Sequence, residues 1–217
     1  MPARPLVLLP GIRGDPAEYE PLVRCLVGWE LILVTLPDDG GPTLAGIAAR
    51  LLPTLPEGPF DVVGASFGGL VAWALPADRV RSLTTLGTLP FPTPRARRCA
   101  VAARLVRTLP RRAFAELYGP RARASMAEDG ADERLLERVR IPGRDSFADC
   151  LAAIAAWGLP PRPPGRARWL WGATDRFVTW DVPGVRVAGL DPLIVPGGHR
   201  PHVSHPTEVA RWLPDPA

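Results

Sequence analysis

The sequence lacks three common residue types altogether. None of its 217 residues is lysine, asparagine or glutamine, so arginine supplies all 26 basic side chains. These absences fit a coding bias toward GC-rich codons, and the loss of thermolabile amides would also suit a hot environment. They do not point to any function.

Cysteine is also scarce. The three cysteines, Cys25, Cys99 and Cys150, lie far apart and form no C-x-x-C pair. Their odd number and wide spacing argue against a disulfide framework and favour a reducing compartment. The first apolar run, at 6–9, is too short for a signal peptide or a membrane span. The sequence therefore predicts a soluble, cytoplasmic protein without a membrane partner.

The overall composition is that of an ordinary globular domain. Apolar residues make up 47% and charged residues 22% of the chain, and the 28 prolines are spread along it. This predicts one domain with stiffened loops, long enough to carry a sizeable insertion. The net charge of +4 comes from a local basic excess with few interleaved aromatic residues, so nucleic acid is not an expected partner.

Apolar runs and helical stretches alternate along the first part of the chain. Strands are predicted at 6–9, 31–36, 60–63 and 80–86, and later at 168–172 and 193–195. Helices are predicted after Asp15-Pro16, from Thr43, after Ser66 and after Pro206. This alternation predicts an α/β fold with a mostly parallel, doubly wound sheet of about six strands.

A helical insertion interrupts the alternation. Residues 91–164 contain Ala/Leu/Arg-rich stretches broken by prolines and no convincing strand. We therefore predict a core at 1–90 and 165–217 and a helical cap at 91–164. The cap would leave the sheet where the site loops emerge and would act as a lid.

One serine lies between glycines at the end of a predicted strand. In Gly64-Ala65-Ser66-Phe67-Gly68 the glycines permit a sharp turn, which exposes the serine hydroxyl beside the first free N–H groups of a helix. The pattern resembles the nucleophile elbow of α/β-hydrolases. The alternative is a glycine-rich turn whose serine only caps the helix.

A serine nucleophile needs a base and an acid that orients the base. The chain has only three histidines, His199, His202 and His205, and all follow Ser66. His199 follows a Pro-Gly-Gly loop, and Asp175 comes three residues after a predicted strand. Asp175 could instead be a turn residue, His202 and His205 are read as loop or helix-edge residues, and the three histidines could form a metal cluster. Because no nearby acid or cysteine completes a ligand set, no metal is predicted.

These motifs together resemble the α/β-hydrolase superfamily over nearly the whole chain. The resemblance includes Gly172-Ala173-Thr174-Asp175, Gly198-His199 with Pro206, and the run at 76–83. It implies an α/β-hydrolase fold in which Ser66 is the nucleophile, His199 the base and then the acid, and Asp175 the orienting group. It also implies an oxyanion hole formed by the N–H groups of Phe67 and Ile12, and no cofactor.

The sequence departs from the family pattern in three places. Pro10 replaces the histidine usual before Gly11, which removes a side chain that often steadies the oxyanion loop. The chain begins almost at the strand that carries this loop, although the family core often has two strands before it. The segment at 181–190 is also too rich in proline and glycine for the full helix usually found there.

The leading functional expectation is hydrolysis of a carboxylic ester through an acyl-Ser66 intermediate. Between Arg95 and Arg123 there are nine arginines and one acid, Glu116. This patch is either a solvated surface or a site for an anionic carrier, so an acyl-CoA or acyl-carrier-protein thioesterase is an alternative. A lyase or acyltransferase on the same scaffold, and a non-catalytic ligand-binding protein, are more distant alternatives.

Overall fold

Six strands form one parallel sheet at the centre of the structure, a computed structural model that describes residues 3–38, 41–88, 95–138, 140–157, 166–178 and 192–216. The strands are β1 (Arg4–Leu9), β2 (Trp29–Leu33), β3 (Phe60–Ala65), β4 (Val80–Leu86), β5 (Arg166–Gly172) and β6 (Leu193–Val195). They lie in the order β2-β1-β3-β4-β5-β6, and all neighbours are parallel. The predicted α/β fold with about six strands is confirmed.

Helices cover both faces of this sheet. They are α1 (Glu20–Val23), α2 (Leu44–Leu51), α3 (Phe67–Trp73), α4 (Arg95–Thr108), α5 (Arg111–Glu128), α6 (Glu133–Arg138), α7 (Arg144–Ala156), α8 (Pro201–Ser204) and α9 (Pro206–Arg211), with 3-10 turns at Pro16–Tyr19 and Leu52–Thr54. Apolar side chains of α2 and α3 pack on one face, and those of α1 and α9 pack on the other. Both faces of the central strands are therefore buried, which explains the continuous apolar run at 6–9 in β1.

The register of the central strands brings two loops together. Leu9 at the end of β1 is opposite Gly64 near the end of β3. Parallel strands end at the same edge of a sheet, so the loop that follows Leu9 lies beside the turn at Ser66. This edge carries the predicted site.

The predicted elements at the N-terminal side differ from the structure in their bounds. Asp15 Oδ1 accepts the Ala17 N–H at 2.9 Å, as predicted, but it begins a 3-10 turn and the helix after it ends at Val23. The edge strand β2 is displaced toward the N-terminus of its prediction because pairing with β1 fixes its limits. The Thr43 cap is confirmed, since Thr43 Oγ1 accepts the Gly46 N–H at 3.1 Å.

The described chain between β4 and β5 is helical, as the sequence predicts. Helix α4 packs against α7, and the rings of Phe114, Tyr118 and Phe147 contact one another across α5 and α7. Residues 89–94 and 158–165 lie outside the described residues, so the boundaries of the cap stay a prediction; the segment at 181–190 lies outside them too. Among the described residues no helix is long and apolar enough to cross a membrane.

Candidate active site

Ser66 connects β3 to α3 in a conformation that side chains rarely adopt. It is the one non-glycine residue among the described residues with a positive φ, at 51°. Its N–H donates to the Leu86 carbonyl at 2.7 Å, and Thr88 Oγ1 donates to its carbonyl at 2.7 Å. A strained backbone persists only where the surrounding structure holds it, and such positions cluster at functional sites.

The flanking glycines let the backbone pack closely around the turn. A Cβ on Gly64 would lie 2.5 Å from the Gly69 Cα, and one on Gly68 would lie 2.2 Å from the Leu9 carbonyl oxygen. Because any side chain at these positions would push α3 away from the strands, both must be glycine. This agrees with the prediction that the glycines let the chain reverse without side-chain clashes while Ser66 takes the strained conformation.

Ser66, His199 and Asp175 form one chain of hydrogen bonds. His199 Nε2 lies 2.9 Å from Ser66 Oγ, and His199 Nδ1 lies 2.8 Å from Asp175 Oδ2. A carboxylate only accepts hydrogen bonds, so we assign the ring proton to Nδ1, which leaves the Nε2 lone pair facing the serine hydroxyl. Asp175 Oδ1 accepts the N–H groups of Phe177 and Val178 at 2.7 and 2.9 Å, which fixes the carboxylate.

Two further glycines let these loops meet. Asp175 follows β5 and His199 follows β6, and a Cβ on Gly172 would lie 1.9 Å from the Gly198 carbonyl oxygen. Gly87 has a φ of +57°, and its Cβ would lie 3.1 Å from His199 Nδ1 and 3.2 Å from Asp175 Oδ2. The contact between histidine and aspartate therefore depends on the absence of side chains around it.

The predicted oxyanion donors lie next to this chain of hydrogen bonds. Phe67 is the first residue of α3, where an N–H has no acceptor within the helix. Ile12 lines a recess together with Ser66 and His199. Its N–H makes no hydrogen bond with another described residue. Both N–H groups are therefore available to an oxygen at the serine.

Glu18 holds the loop after β1, and the sequence analysis missed it. Its Oε1 accepts the Gly11 N–H at 2.7 Å, and its Oε2 accepts Arg13 Nη2 at 3.2 Å. It therefore steadies this loop although Pro10 has replaced the usual histidine. The signal that would have found it is a single acid among the apolar residues of its helical turn.

The Glu18 carboxyl group is buried but stays ionised. Burial alone would raise its pKa, but the charges of Arg13, His202 and Arg200, with the Gly11 N–H, hold the pKa of Glu18 below its ordinary value. An ionised carboxylate accepts stronger hydrogen bonds than a neutral one. The fixed charge therefore strengthens the hold on the Gly11 N–H.

The three histidines have separate surroundings. His202 is not a loop or helix-edge residue as predicted: it lies in α8, is fully buried, and its ring centroid is 4.9 Å from that of Tyr19. His205 Nδ1 lies 2.9 Å from Ser204 Oγ. Within the described part of the chain, no group of three or more histidine, cysteine, aspartate or glutamate residues could hold a metal ion.

The burial of His202 predicts a loss of stability in acid. Burial, aided by the charges of Arg200, His199 and Arg13 and opposed by that of Glu18, lowers the pKa of His202 from 6.5 to about 4. The unfolded chain therefore binds a proton at higher pH than the folded one. Stability should be fully present above pH ~6.5 and fall by about 3 kcal/mol as the pH approaches ~4.

We expect His202→Leu to flatten this pH dependence. The measurement is the free energy of unfolding in urea at a series of pH values between ~7 and ~4. His205→Leu serves as the matched control and should keep the acid loss of the wild type. An equal acid loss in His202→Leu and wild type would contradict the assignment.

The basic patch between Arg95 and Arg123 is partly neutralised by residues outside that segment. Arg107 pairs with Asp149, and Arg111 pairs with Asp145 at 3.1 Å. Both acids lie on α7, so a count within the segment missed them. Arg112 pairs with Glu116 on its own helix at 3.0 Å. The patch is therefore less positive than the sequence suggests.

Comparisons with known proteins agree with this architecture. A hydrolase from Pseudomonas aeruginosa PA01 superposes with a TM-score of 0.77 at 18% identity, over 96% of this chain and 87% of that one. A thermophilic esterase from Thermogutta terrifontis gives 0.74 at 20% identity, over 96% and 87%. An enol-lactonase from Burkholderia xenovorans LB400 gives 0.70 at 20% identity, over 96% and 89%.

At these identities the superpositions establish a shared fold, while the family is established by sequence. The sequence model of the alpha/beta hydrolase family matches residues 6–212, which include every strand from β2 to β6 and most of β1. With the six-stranded parallel sheet and the strand-serine-helix turn in their expected places, the chain belongs to the alpha/beta hydrolase family.

Proposed function

We propose that this protein is a serine hydrolase that cleaves carboxylic esters through an acyl-Ser66 intermediate. The observation that carries the proposal is the continuous chain of hydrogen bonds from Asp175 through His199 to Ser66. Nothing in folding requires these three residue types at three loops far apart in sequence. Their meeting at one recess is what nucleophilic catalysis by serine needs.

The first half of the proposed reaction forms the acyl-enzyme. His199 Nε2 takes the proton of Ser66 Oγ as Oγ attacks the ester carbonyl carbon. The carbonyl oxygen becomes an oxyanion, which accepts the N–H groups of Phe67 and Ile12. His199 then gives its proton to the alcohol oxygen, the carbon–oxygen bond breaks, and the alcohol leaves.

The second half repeats these steps with water. His199 takes a proton from water as its oxygen attacks the acyl carbon, and the same two N–H groups stabilise the new oxyanion. The proton returns to Ser66 Oγ as the bond to the serine breaks and the carboxylic acid is released. Asp175 holds the ring in one tautomer and stabilises the imidazolium ion that forms twice per cycle.

The esterase and lactonase neighbours support an ester as the substrate, because a lactone is a cyclic ester opened by the same chemistry. The pairing of Arg107 and Arg111 with acids on α7 removes part of the argument for an anionic carrier. Thioester substrates, CoA or an acyl-carrier protein as partner, a lyase or acyltransferase reaction, and a cytoplasmic location stay predictions.

We further propose that the cap forms one wall of the site. The supporting contacts join α5 to the residue after His199: Arg200 Nη1 donates to the Ser125 carbonyl and hydroxyl oxygens at 3.1 Å and pairs with Asp129. These bonds fasten the end of α5 beside the recess. A lid that moved as a whole would have to break them.

Labelling with a serine-directed fluorophosphonate tests the nucleophile directly. We expect one adduct per chain, mapped by mass spectrometry to the peptide that contains Ser66, together with turnover of short-chain p-nitrophenyl esters. Ser66→Ala should abolish both signals. Ser146→Ala, which changes a serine on α7, should keep both. An adduct on another residue, or ester turnover that survives in Ser66→Ala, would overturn the proposed function.

A further inference from the structure

The recess beside Ser66 is lined by two arginines. Arg13 and Arg200 line it together with Ser66, His199, Ile12 and Glu18. Arg13 is 5% exposed, and the side chain of Arg200 is 13% exposed. Buried guanidinium groups are rare in proteins unless an acceptor holds them, so each needs an explanation.

The two positive charges are close enough to disfavour each other. Burial lowers the pKa of Arg200, and the charge of Arg13 lowers it further, against the opposing effects of Glu18 and Asp129. Like charges gathered in a poorly hydrated recess are costly unless an anion lies between them. Glu18 pairs with Arg13 and Asp129 pairs with Arg200, so each cation has one carboxylate beside it.

Each arginine uses only some of its N–H donors in hydrogen bonds with the described residues. Among the described residues, Arg13 donates one hydrogen bond, from Nη2 to Glu18, and its Nε is buried without a partner. Arg200 donates through Nη1 alone within the described part of the chain. Glu18 already accepts at both oxygens, from the Gly11 N–H and from Arg13. Several N–H donors therefore remain for an acceptor brought in by a ligand.

A carboxylate is the acceptor that suits these donors. Its two oxygens match the planar fork of a guanidinium group and can take two hydrogen bonds at once. A purely structural role is the competing explanation, since Arg13 holds Glu18 and Arg200 holds the end of α5, but these contacts leave the other guanidinium donors unfilled. Both arginines line the recess that contains Ser66, so a substrate held at Ser66 can present an acid group to them.

We propose that this recess binds a free carboxylate of the substrate, so that the protein acts on anionic esters that carry one acid group. The proposal rests on the proposed function for the ester and adds the acid group. Arg13 and Arg200 hold the carboxylate, and Ser66 attacks the ester carbonyl of the same molecule. Neutral esters would bind without this anchor.

The kinetic test compares substrates that differ in one group. Monomethyl succinate and methyl succinamate place an acid or its neutral amide on the acyl side; 4-acetoxybenzoate and 4-acetoxybenzamide place it on the alcohol side. We expect kcat/KM to favour the acid by about 10- to 100-fold in one pair, the range of a charge-assisted hydrogen bond. The favoured pair identifies the side that carries the carboxylate.

Variants assign this preference to the arginines. Arg200→Met and Arg13→Met keep most of the side-chain volume and should bring the acid-to-amide ratio close to one. Arg112→Met removes a 92% exposed arginine side chain and should keep the ratio of the wild type. A ratio near one for both pairs in the wild-type protein, or an unchanged ratio in Arg200→Met, would overturn the proposal.

A binding measurement separates this proposal from the proposed function. In Ser66→Ala, which cannot form the acyl-enzyme, succinate should bind and raise the melting temperature, whereas succinamide should not, and Arg200→Met should remove the effect. If succinate binds but the wild type hydrolyses no ester, the carboxylate site is supported and the proposed esterase function is overturned. If esters are hydrolysed with no preference for the acid and succinate does not bind, the esterase function is supported and the carboxylate site is overturned.

Discussion

Replacing His199 with alanine is expected to lower kcat/KM for a p-nitrophenyl ester by about 10⁵-fold, the scale of losses when one member of a Ser-His-Asp unit is removed. The imidazole Nε2, 2.9 Å from Ser66 Oγ, is the one base that hydrogen-bonds this hydroxyl among the described residues. The residual rate would come from the N–H groups of Phe67 and Ile12 and from binding alone. Steady-state kinetics with the purified variant measure this, with circular dichroism to verify folding.

The matched control is His205→Ala, which changes a histidine that contacts Ser204 instead of Ser66. We expect it to retain activity near that of the wild type. The double variant Ser66→Ala/His199→Ala should be no less active than either single variant, because residues that act as a unit are not additive. A His199→Ala variant with wild-type activity would overturn the role of His199 as base.

Asp175→Asn is expected to lower kcat by about 10⁴-fold with little change in KM, the effect of presenting the wrong histidine tautomer. Asp175 Oδ1 is already bonded to two backbone N–H groups, so the asparagine oxygen would stay there. The new amide N–H₂ would then face His199 Nδ1 and donate to it. The ring proton would move to Nε2, which could no longer accept the proton of Ser66.

Proton NMR distinguishes the proposed role of Asp175 from a purely structural one. The Nδ1–H of His199, bonded to a buried carboxylate at 2.8 Å, should give a strongly deshielded resonance in the wild type and none in Asp175→Asn. Asp149→Asn, which affects an acid paired with Arg107, should keep both the resonance and the activity. Loss of activity in both variants would show that the effect is not specific to Asp175.

The sequence alone determined the architecture and most of the predicted site. The continuous apolar run at 6–9 in β1 predicts a strand buried on both faces, and such strands occur in parallel sheets covered by helices. Ser66 stood out because two glycines flank it, and His199 because histidine is so rare in this chain. These signals are local, since each depends on a few adjacent residues.

The sequence did not predict which residues surround the site. Arg13 and His202 gave no local signal of burial, because an arginine or a histidine on a short helix or loop is ordinarily exposed, and the one signal for Glu18 was a single acid in an apolar turn. Their burial depends on where α1, α8 and the loop after β1 pack against one another. For the same reason the charge of the arginine patch could not be judged without the acids that α7 brings to it.

What the sequence by itself determined is therefore the alternation of strands and helices and the identity of Ser66, Asp175 and His199 as the residues to examine. Only the tertiary structure decided that these three side chains meet and that two buried arginines line the same recess. The physical reason is distance along the chain. Residues 133 positions apart, such as Ser66 and His199, become neighbours only when parallel strands end at one edge of a sheet.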